Sequence, residues 1–131
     1  MMAAVHAVVG AAAGRRLRRP AAALAAGVGT HLVGDLIPHR DFPLALELPL
    51  MLAALALLAR GRGVTSPTLW GALGGVLPDV ENGLHLMGLV PERAKLFPTH
   101  NGVLPHGRPI RSIANQLLLV LAALVVLRQG R

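Results

Sequence analysis

Residues 21–36 read AAALAAGVGTHLVGDL, with Pro20 before them and Pro38 after them. A proline is tolerated in the first turn of a helix but stops a helix that is already under way, so the two prolines mark the ends of a predicted helix. The helix is apolar until its last turns, which carry His31 and Asp35. Side chains four residues apart lie on one helix face, so this pair is predicted to point in one direction.

Apolar segments continue on both sides of this helix, and none of them alternates with the two-residue period of a strand over a useful length. The predicted segments cover residues 2–14, 21–36, 43–59, about 68–90 and about 110–128. Pro78, inside the fourth segment, predicts a kink and a freed backbone carbonyl. The chain is therefore predicted to be one all-α domain over residues 1–131. We expect a small membrane bundle of four to five helices, with a short N-terminal helix and a polar loop at about 91–109.

The composition favours a membrane protein and argues against several other classes. Hydrophobic residues make up 53% of the 131 residues and charged residues 15%, against roughly 25% charged residues in an average soluble domain. The absence of cysteine excludes a thiol nucleophile, an iron–sulfur cluster and a cysteine zinc finger. The net charge of +7 comes largely from arginines between apolar segments, and there are two Phe, one Trp and no Tyr for base stacking. Nucleic acid is therefore not an expected partner, whereas membrane lipid is.

The arginines also predict an orientation, because basic residues concentrate on the cytoplasmic side of a membrane. If Arg15 to Arg19 lie in the cytoplasm and successive segments cross the membrane in alternate directions, 8 of the 13 basic residues lie on the cytoplasmic side. They are Arg15, Arg16, Arg18, Arg19, Arg60, Arg62, Arg128 and Arg131. The histidines and carboxylates then gather at the outer face. No segment is a clean run of 18 uncharged apolar residues, so a soluble or peripheral bundle with an Ala/Leu core is the alternative.

Small residues recur on three of the segments and predict close contact between helices. They are Gly10, Gly14, Gly27, Gly71 and Gly75. The sequence leaves open whether this packing lies within one chain or between two, so the oligomeric state is not predicted.

The histidines and carboxylates form the predicted site, because ionisable groups within apolar helices mark function by default. Histidine with Asp or Glu is the ligand set of zinc and other divalent metals, and Mn or Fe would also suit it. The candidate metal ligands are His6, His31, Asp35, Asp79, His85, His100 and His106. Glu81 and His85 repeat the four-residue spacing of His31 and Asp35. Asp79 or Glu81 is the candidate catalytic base, and Arg40 or Arg108 could hold an anionic group of a substrate.

Other interpretations of the same residues stay open. His31 and Asp35 could be a buried hydrogen-bonded pair that specifies helix packing, and Glu47 a solvated side chain. His39 and His106, each following a proline, could be exposed at the interface. The whole network could serve structure, metal handling or proton movement in a protein that is not an enzyme. A haem site with His6, His31 or His85 as axial ligands is a further alternative, although no Cys-x-x-Cys-His motif is present.

Four short motifs resemble a known group. They are His6, the His-x-x-x-Asp pair at 31–35, Leu-Pro-Asp-x-Glu at 77–81 and His-x-Gly at 100–102. Together they resemble small bacterial inner-membrane proteins described as membrane-bound metal-dependent hydrolases, the YdjM-like group. The chain departs from that group at Glu81-Asn82, where an Asp followed by His is usual, and in the early position of the His-x-x-x-Asp pair.

The resemblance implies a four-helix membrane fold in the bacterial inner membrane. It implies metal ligation by His6, His31, Asp35, Asp79 and His100, which the motifs contain, and by His106, which follows the last of them. It also implies hydrolysis, and the expected substrate is a phosphoester or similar bond in a lipid or other amphiphile.

Overall fold

A computed structural model describes residues 1–129 of the chain. That part of the chain forms five α-helices, with a 3-10 turn at Glu92–Ala94, and contains no extended strand. The helices are α1 (Ala3–Gly14), α2 (Pro20–Leu36), α3 (Leu44–Arg62), α4 (Pro67–Leu86) and α5 (Ala114–Arg128). The predicted all-α class is therefore confirmed. Helix α4 continues through Pro78, which is fully buried.

The short helix α1 lies at the centre of the bundle and contacts each of the other four helices. Its small side chains allow this, because Ala7 and Ala11 are completely buried and pack beside Ala72 and Val76 of α4. Helices α2 and α4 pack on α1 and on each other, whereas α3 and α5 lie on the outside. The first histidine of the chain, His6, is thereby carried into the interior.

Glycines let α1, α2 and α4 approach until their backbones touch. A methyl group built on Gly10 or Gly27 would collide with the carbonyl oxygen of Gly71, and one on Gly75 would collide with the carbonyl of His6. Part of the small-residue packing predicted from the sequence thus lies within one chain. This close approach sets the distance between the side chains that α1, α2 and α4 contribute to the site.

Helix α4 is shorter than the predicted segment 68–90 because Gly88 ends it. Gly88 adopts a left-handed conformation, with a φ of 76°, which is free of strain only for glycine. Its amide donates to the carbonyl of His85, and the amide of Leu89 donates to that of Leu84. This pair of bonds is the Schellman arrangement that satisfies the last carbonyls of a helix.

The connection from α4 to α5 is longer than the predicted loop 91–109, because it runs to the start of α5 at Ala114. Part of it lies alongside the chain that leaves α2. The amide of His39 donates to the carbonyl of Arg108, and the amide of Ile110 donates to that of His39. These two bonds pair the connection with the chain after α2 in a short parallel bridge, so that residues 107–113 lie outside α5.

Two sets of contacts define the ends of the bundle. At one end, the amide of Ala3 donates to Glu47 Oε2 over 2.9 Å, and Gln116 Nε2 donates to the carbonyl of Arg40 over 3.0 Å. At the other end, the guanidinium groups of Arg15 and Arg62 donate to carbonyls in the last turn of α5. Glu47, which could have been a solvated side chain, thus binds the backbone at the first end.

The exterior of the bundle is rich in leucine. In residues 1–129, one helix, α3, is long and apolar enough to cross a membrane by length and composition, and 6% of its apolar window is buried. Leu52, Leu57 and Leu118 are among the exposed large side chains.

Candidate metal centre

The carboxylate of Asp35 is the centre of the cluster and is completely buried. One of its oxygens, Oδ1, lies 3.1 Å from His6 Nε2. The other oxygen, Oδ2, lies 2.9 Å from His31 Nε2 and 3.4 Å from His100 Nε2. Helices α1 and α2 and the connection before α5 therefore meet at one carboxylate.

His31 has a defined tautomer. Its Nδ1 lies 2.7 Å from the carbonyl oxygen of Gly75, which can only accept, so Nδ1 carries the proton and donates it. In the neutral ring Nε2 then holds a lone pair, which faces Asp35 Oδ2 and, at 3.2 Å, His100 Nε2. Among residues 1–129 no donor satisfies Asp35 Oδ2 by hydrogen-bond criteria. A lone pair facing a buried carboxylate oxygen requires a cation or a proton between them.

Asp79 adds a second carboxylate from α4. Its Oδ1 lies 3.7 Å from His100 Nε2, and its Oδ2 lies 3.8 Å from His31 Nδ1. Oδ2 is buried and has no hydrogen-bond partner in the described part of the chain. Ligand atoms of His31, Asp35 and His100 lie within 4.8 Å of one another, as do those of His6, His31 and Asp79. These donors suit a divalent cation.

A second group of side chains adjoins the first. His39 Nδ1 lies 2.7 Å from the carbonyl oxygen of Ile37, and its Nε2 lies 3.0 Å from His106 Nε2. The same Nε2 lies 3.0 Å from Asp41 Oδ1. Hydrogen bonds from His106, and to a smaller extent from His39, hold the pKa of Asp41 well below its usual range. His39 is 1% exposed, so the interpretation that placed it on the surface is wrong, whereas His106 is 33% exposed.

Sequence reasoning did not place His39 and Asp41 among the candidate ligands. A signal was present, since His31, Asp35 and His39 follow one another at intervals of four. The helix ends at Leu36, and the pairing of His39 with Arg108 and Ile110 then turns the ring inward. That pairing joins positions about 70 residues apart and has no local sequence signature. The amino group of Met1 also lies 3.0 Å from Asp41 Oδ1.

Glu81 and His85 lie apart from the cluster. Glu81 accepts hydrogen bonds from the backbone amides of Leu96, at 2.7 Å, and Phe97, at 3.1 Å. His85 Nδ1 lies 2.9 Å from the carbonyl of Val90, and its Nε2 lies 2.9 Å from Glu92 Oε2. Glu81 therefore anchors the segment that carries His100, and His85 anchors the turn after α4.

An apolar groove leads to the cluster between α3 and α4. The cavity has a volume of about 530 Å³. Its walls include Leu44, Leu48, Met51, Val80 and Leu84, and its polar end is formed by Asp41, Asp79, His100 and His106. The guanidinium of Arg40 is directed elsewhere, to the carbonyl of Arg111 and over the ring of Phe42. The groove thus leads from an apolar surface to a set of side chains that could bind a metal ion.

Comparisons of the chain with protein-family models, with curated proteins and with solved structures found no match. The function is therefore argued from the site itself.

Proposed function

We propose that the chain is a membrane protein with a divalent-metal centre at His31, Asp35 and His100, beside Asp79, and that it hydrolyses a phosphoester or similar bond of an amphiphile. The observation that carries the proposal is the tautomer of His31. A backbone carbonyl that fixes Nδ1–H and leaves Nε2 free is the usual outer-shell arrangement around a histidine metal ligand. The lone pair of His31 Nε2 faces two further ligand atoms.

Zinc is the expected ion, because nitrogen and carboxylate ligands suit it, and Mn or Fe would also be held by them. When bound, such an ion acts as a Lewis acid on a phosphoryl or carbonyl oxygen and makes water acidic enough to attack near neutral pH. Asp79 lies at the boundary between cluster and groove, is 19% exposed and has a free Oδ2. We assign it the role of the base that takes the proton from the attacking water, since the oxygens of Glu81 are engaged by backbone amides.

The groove supports an amphiphilic substrate. Leu48, Met51 and Leu84 offer an apolar surface to a hydrocarbon chain, while Asp79 and His106 stand where its polar head would lie. Ligand sites of this kind combine mostly apolar walls with a few polar groups that fix orientation. The substrate would therefore enter with its chain between α3 and α4.

The outer surface supports a membrane setting. A core helix of a soluble protein is mostly buried, but 6% of the apolar window of α3 is buried. An exposed apolar surface of this extent is costly in water and marks an interaction surface. We propose that lipid covers it, in the bacterial inner membrane that the family resemblance implies, with the metal centre towards the outer face.

The proposal is tested with detergent-purified protein by metal analysis and by hydrolysis of single-chain and double-chain phosphoester lipids. Wild-type protein should contain bound divalent metal and release the headgroup or phosphate. Asp79→Asn should lower kcat by about 10²- to 10⁴-fold, the usual contribution of a general base. Glu92→Gln, the matched change at an exposed carboxylate, should leave kcat unchanged. Bound metal without turnover on any phosphoester or ester would instead indicate a metal-handling protein.

A further inference from the structure

We propose that the protein holds a second divalent cation, between His39, His106 and Asp41, and that Asp35 connects the two sites. The inference rests on the metal centre proposed above and extends it from one ion to an adjacent pair. It assigns a role to two residues, His39 and Asp41, that the first centre does not use.

The first argument is that His31 and His39 are arranged in the same way. In each ring Nδ1 lies 2.7 Å from a backbone carbonyl, that of Gly75 for His31 and that of Ile37 for His39. In each neutral ring the lone pair of Nε2 is therefore free. Backbone carbonyls fix metal-binding histidines by this contact. His85 makes it as well, with Val90, so the contact supports a metal site only together with the ligand atoms that surround Nε2 of His31 and of His39.

The second argument is that each free Nε2 meets the same two kinds of atom. For His31 these are His100 Nε2 at 3.2 Å and a carboxylate oxygen at 2.9 Å. For His39 they are His106 Nε2 at 3.0 Å and Asp41 Oδ1 at 3.0 Å. Two atoms at the usual zinc–nitrogen or zinc–oxygen distance of about 2.0–2.1 Å in a tetrahedron lie roughly 3.3 Å apart. Both groups have the spacing of a ligand set.

The third argument is the position of Asp35. Its Oδ2 lies 2.9 Å from His31 Nε2 and 3.6 Å from His106 Nδ1. Ligand atoms of Asp35, His39 and His106 fall within 4.8 Å of one another, as do those of Asp35, His31 and His100. The nitrogen of His106 that faces Asp35 is Nδ1, and the one that faces His39 is Nε2, so Asp35 can be a ligand of the first ion while it accepts from the Nδ1–H of a ligand of the second. Asp35 is thus the shared member of both groups.

A pair of cations narrows the substrate class. A phosphoryl group presents several anionic oxygens, and two adjacent ions can stabilise both the attacking and the leaving oxygen of its displacement. We therefore place a phosphoester, rather than a carboxylic ester, at the polar end of the groove, where Asp41, Asp79 and His106 meet.

The test counts metal ions directly. Metal-free protein is titrated with zinc chloride and, in parallel, manganese chloride, and bound metal is measured by mass spectrometry. Wild-type protein should take up about two ions per chain, since each group offers three ligand side chains. His106→Gln and Asp41→Asn should each take up about one ion, because they remove a ligand from the second group alone. Both positions are partly exposed, at 33% and 54% of the side chain, so the variants are expected to fold.

His85→Gln is the matched control, because His85 is a partly exposed histidine that contacts a carboxylate outside both groups. It should bind as many ions as wild-type protein. One ion in wild type, unchanged in His106→Gln and Asp41→Asn, would overturn the inference and leave the His39–His106 contact as a hydrogen bond. Hydrolysis is assayed separately. Two bound ions without turnover would contradict the proposed function but not this inference. One bound ion with turnover would contradict this inference but not the proposed function. No bound metal would contradict both.

Discussion

Asp35 is the residue on which the centre depends, because its burial is unfavourable without a positive partner. A buried, ionised carboxylate must be paired or bound to a metal to offset the loss of hydration. Its Oδ1 can accept from His6 and lies 3.4 Å from the amino group of Met1, but its Oδ2 has no hydrogen-bond donor within residues 1–129. A cation between Asp35 Oδ2 and His31 Nε2 would supply the partner that Oδ2 lacks. Asp79 Oδ2 is likewise a buried acceptor without a hydrogen-bond donor among residues 1–129.

For single residues, we predict that Glu81 supports metal binding indirectly, by holding the backbone of the segment that carries His100. Glu81→Gln removes one of the two carboxylate oxygens that hold the amides of Leu96 and Phe97. The segment that carries His100 should loosen, and the Kd for zinc should rise by about 10- to 100-fold, as is typical for outer-shell changes. Isothermal titration would measure it, with Glu92→Gln as the matched control. Loss of turnover with an unchanged Kd would show instead that Glu81 is the base.

The same residues show how far local sequence predicts a site. The four-residue spacing of His31 and Asp35 predicted that their side chains lie on one helix face, and in the structure His31 Nε2 lies 2.9 Å from Asp35 Oδ2. Glu81 and His85 have the same spacing, but their side chains lie outside the cluster. A helix turns about 100° per residue, so a side chain two positions after Asp79 points roughly 200° away from it. Periodicity gives the face that two residues share but not the direction in which that face points.

At the scale of the elements, backbone contact between α1, α2 and α4 determines how closely the ligands approach. His6, His31 and Asp79 come from these three helices, and ligand atoms of the three lie within 4.8 Å of one another. The glycines that permit this were visible in the sequence. The central place of α1 was not, because a short apolar segment has the same composition whether it enters a bundle or lies beside it.

We predict opposite effects for alanine at two glycines of α2. Gly27→Ala places a methyl group against the carbonyl of Gly71 and 2.7 Å from the amide nitrogen of Gly75. It should lower the free energy of unfolding by about 1–3 kcal/mol, the usual cost of overpacking, and weaken zinc binding because α2 moves away from α4.

Gly29→Ala is the control in the same helix, because no atom of residues 1–129 lies within 4 Å of the added methyl group. It should raise stability by roughly 0.5–1 kcal/mol through higher helix propensity. Thermal unfolding in detergent, with and without zinc, would measure both variants. Equal effects at the two positions would contradict the backbone contact between α2 and α4.

At the scale of the whole molecule, the bundle has a chemically distinct end. The His and Asp cluster lies where α1 begins and α2 ends, and Arg15 and Arg62 lie at the opposite end against the last turn of α5. The all-helical architecture followed from the sequence. The pairing of the chain after α2 with the connection before α5 did not, since it joins His39 to Arg108 across most of the chain.

The absence of cysteine makes the proposed membrane orientation testable with single added thiols. Val103→Cys lies in the connection near the metal centre, and Val64→Cys lies beyond α3 at the arginine end. Both valines are exposed, at 74% and 72%. A maleimide that does not cross membranes should label Val103→Cys in intact bacterial cells and Val64→Cys only after the membrane is opened. The reverse pattern would invert the orientation, and labelling of both in intact cells would argue against a membrane-spanning bundle.

The division of the ligands between helices and connection has a mechanical consequence. His31 and Asp35 belong to α2, while His100 belongs to the segment after α4, and His31 and His100 are 69 positions apart in the chain. An ion held by both would act as a removable crosslink that closes this long loop, in the way a disulfide restricts an unfolded chain. Withdrawing the ion with a chelator would leave the segment held by Glu81 and by the pairing of His39 with Arg108 and Ile110. Limited proteolysis should then cut within residues 98–113 first, well before any helix is attacked.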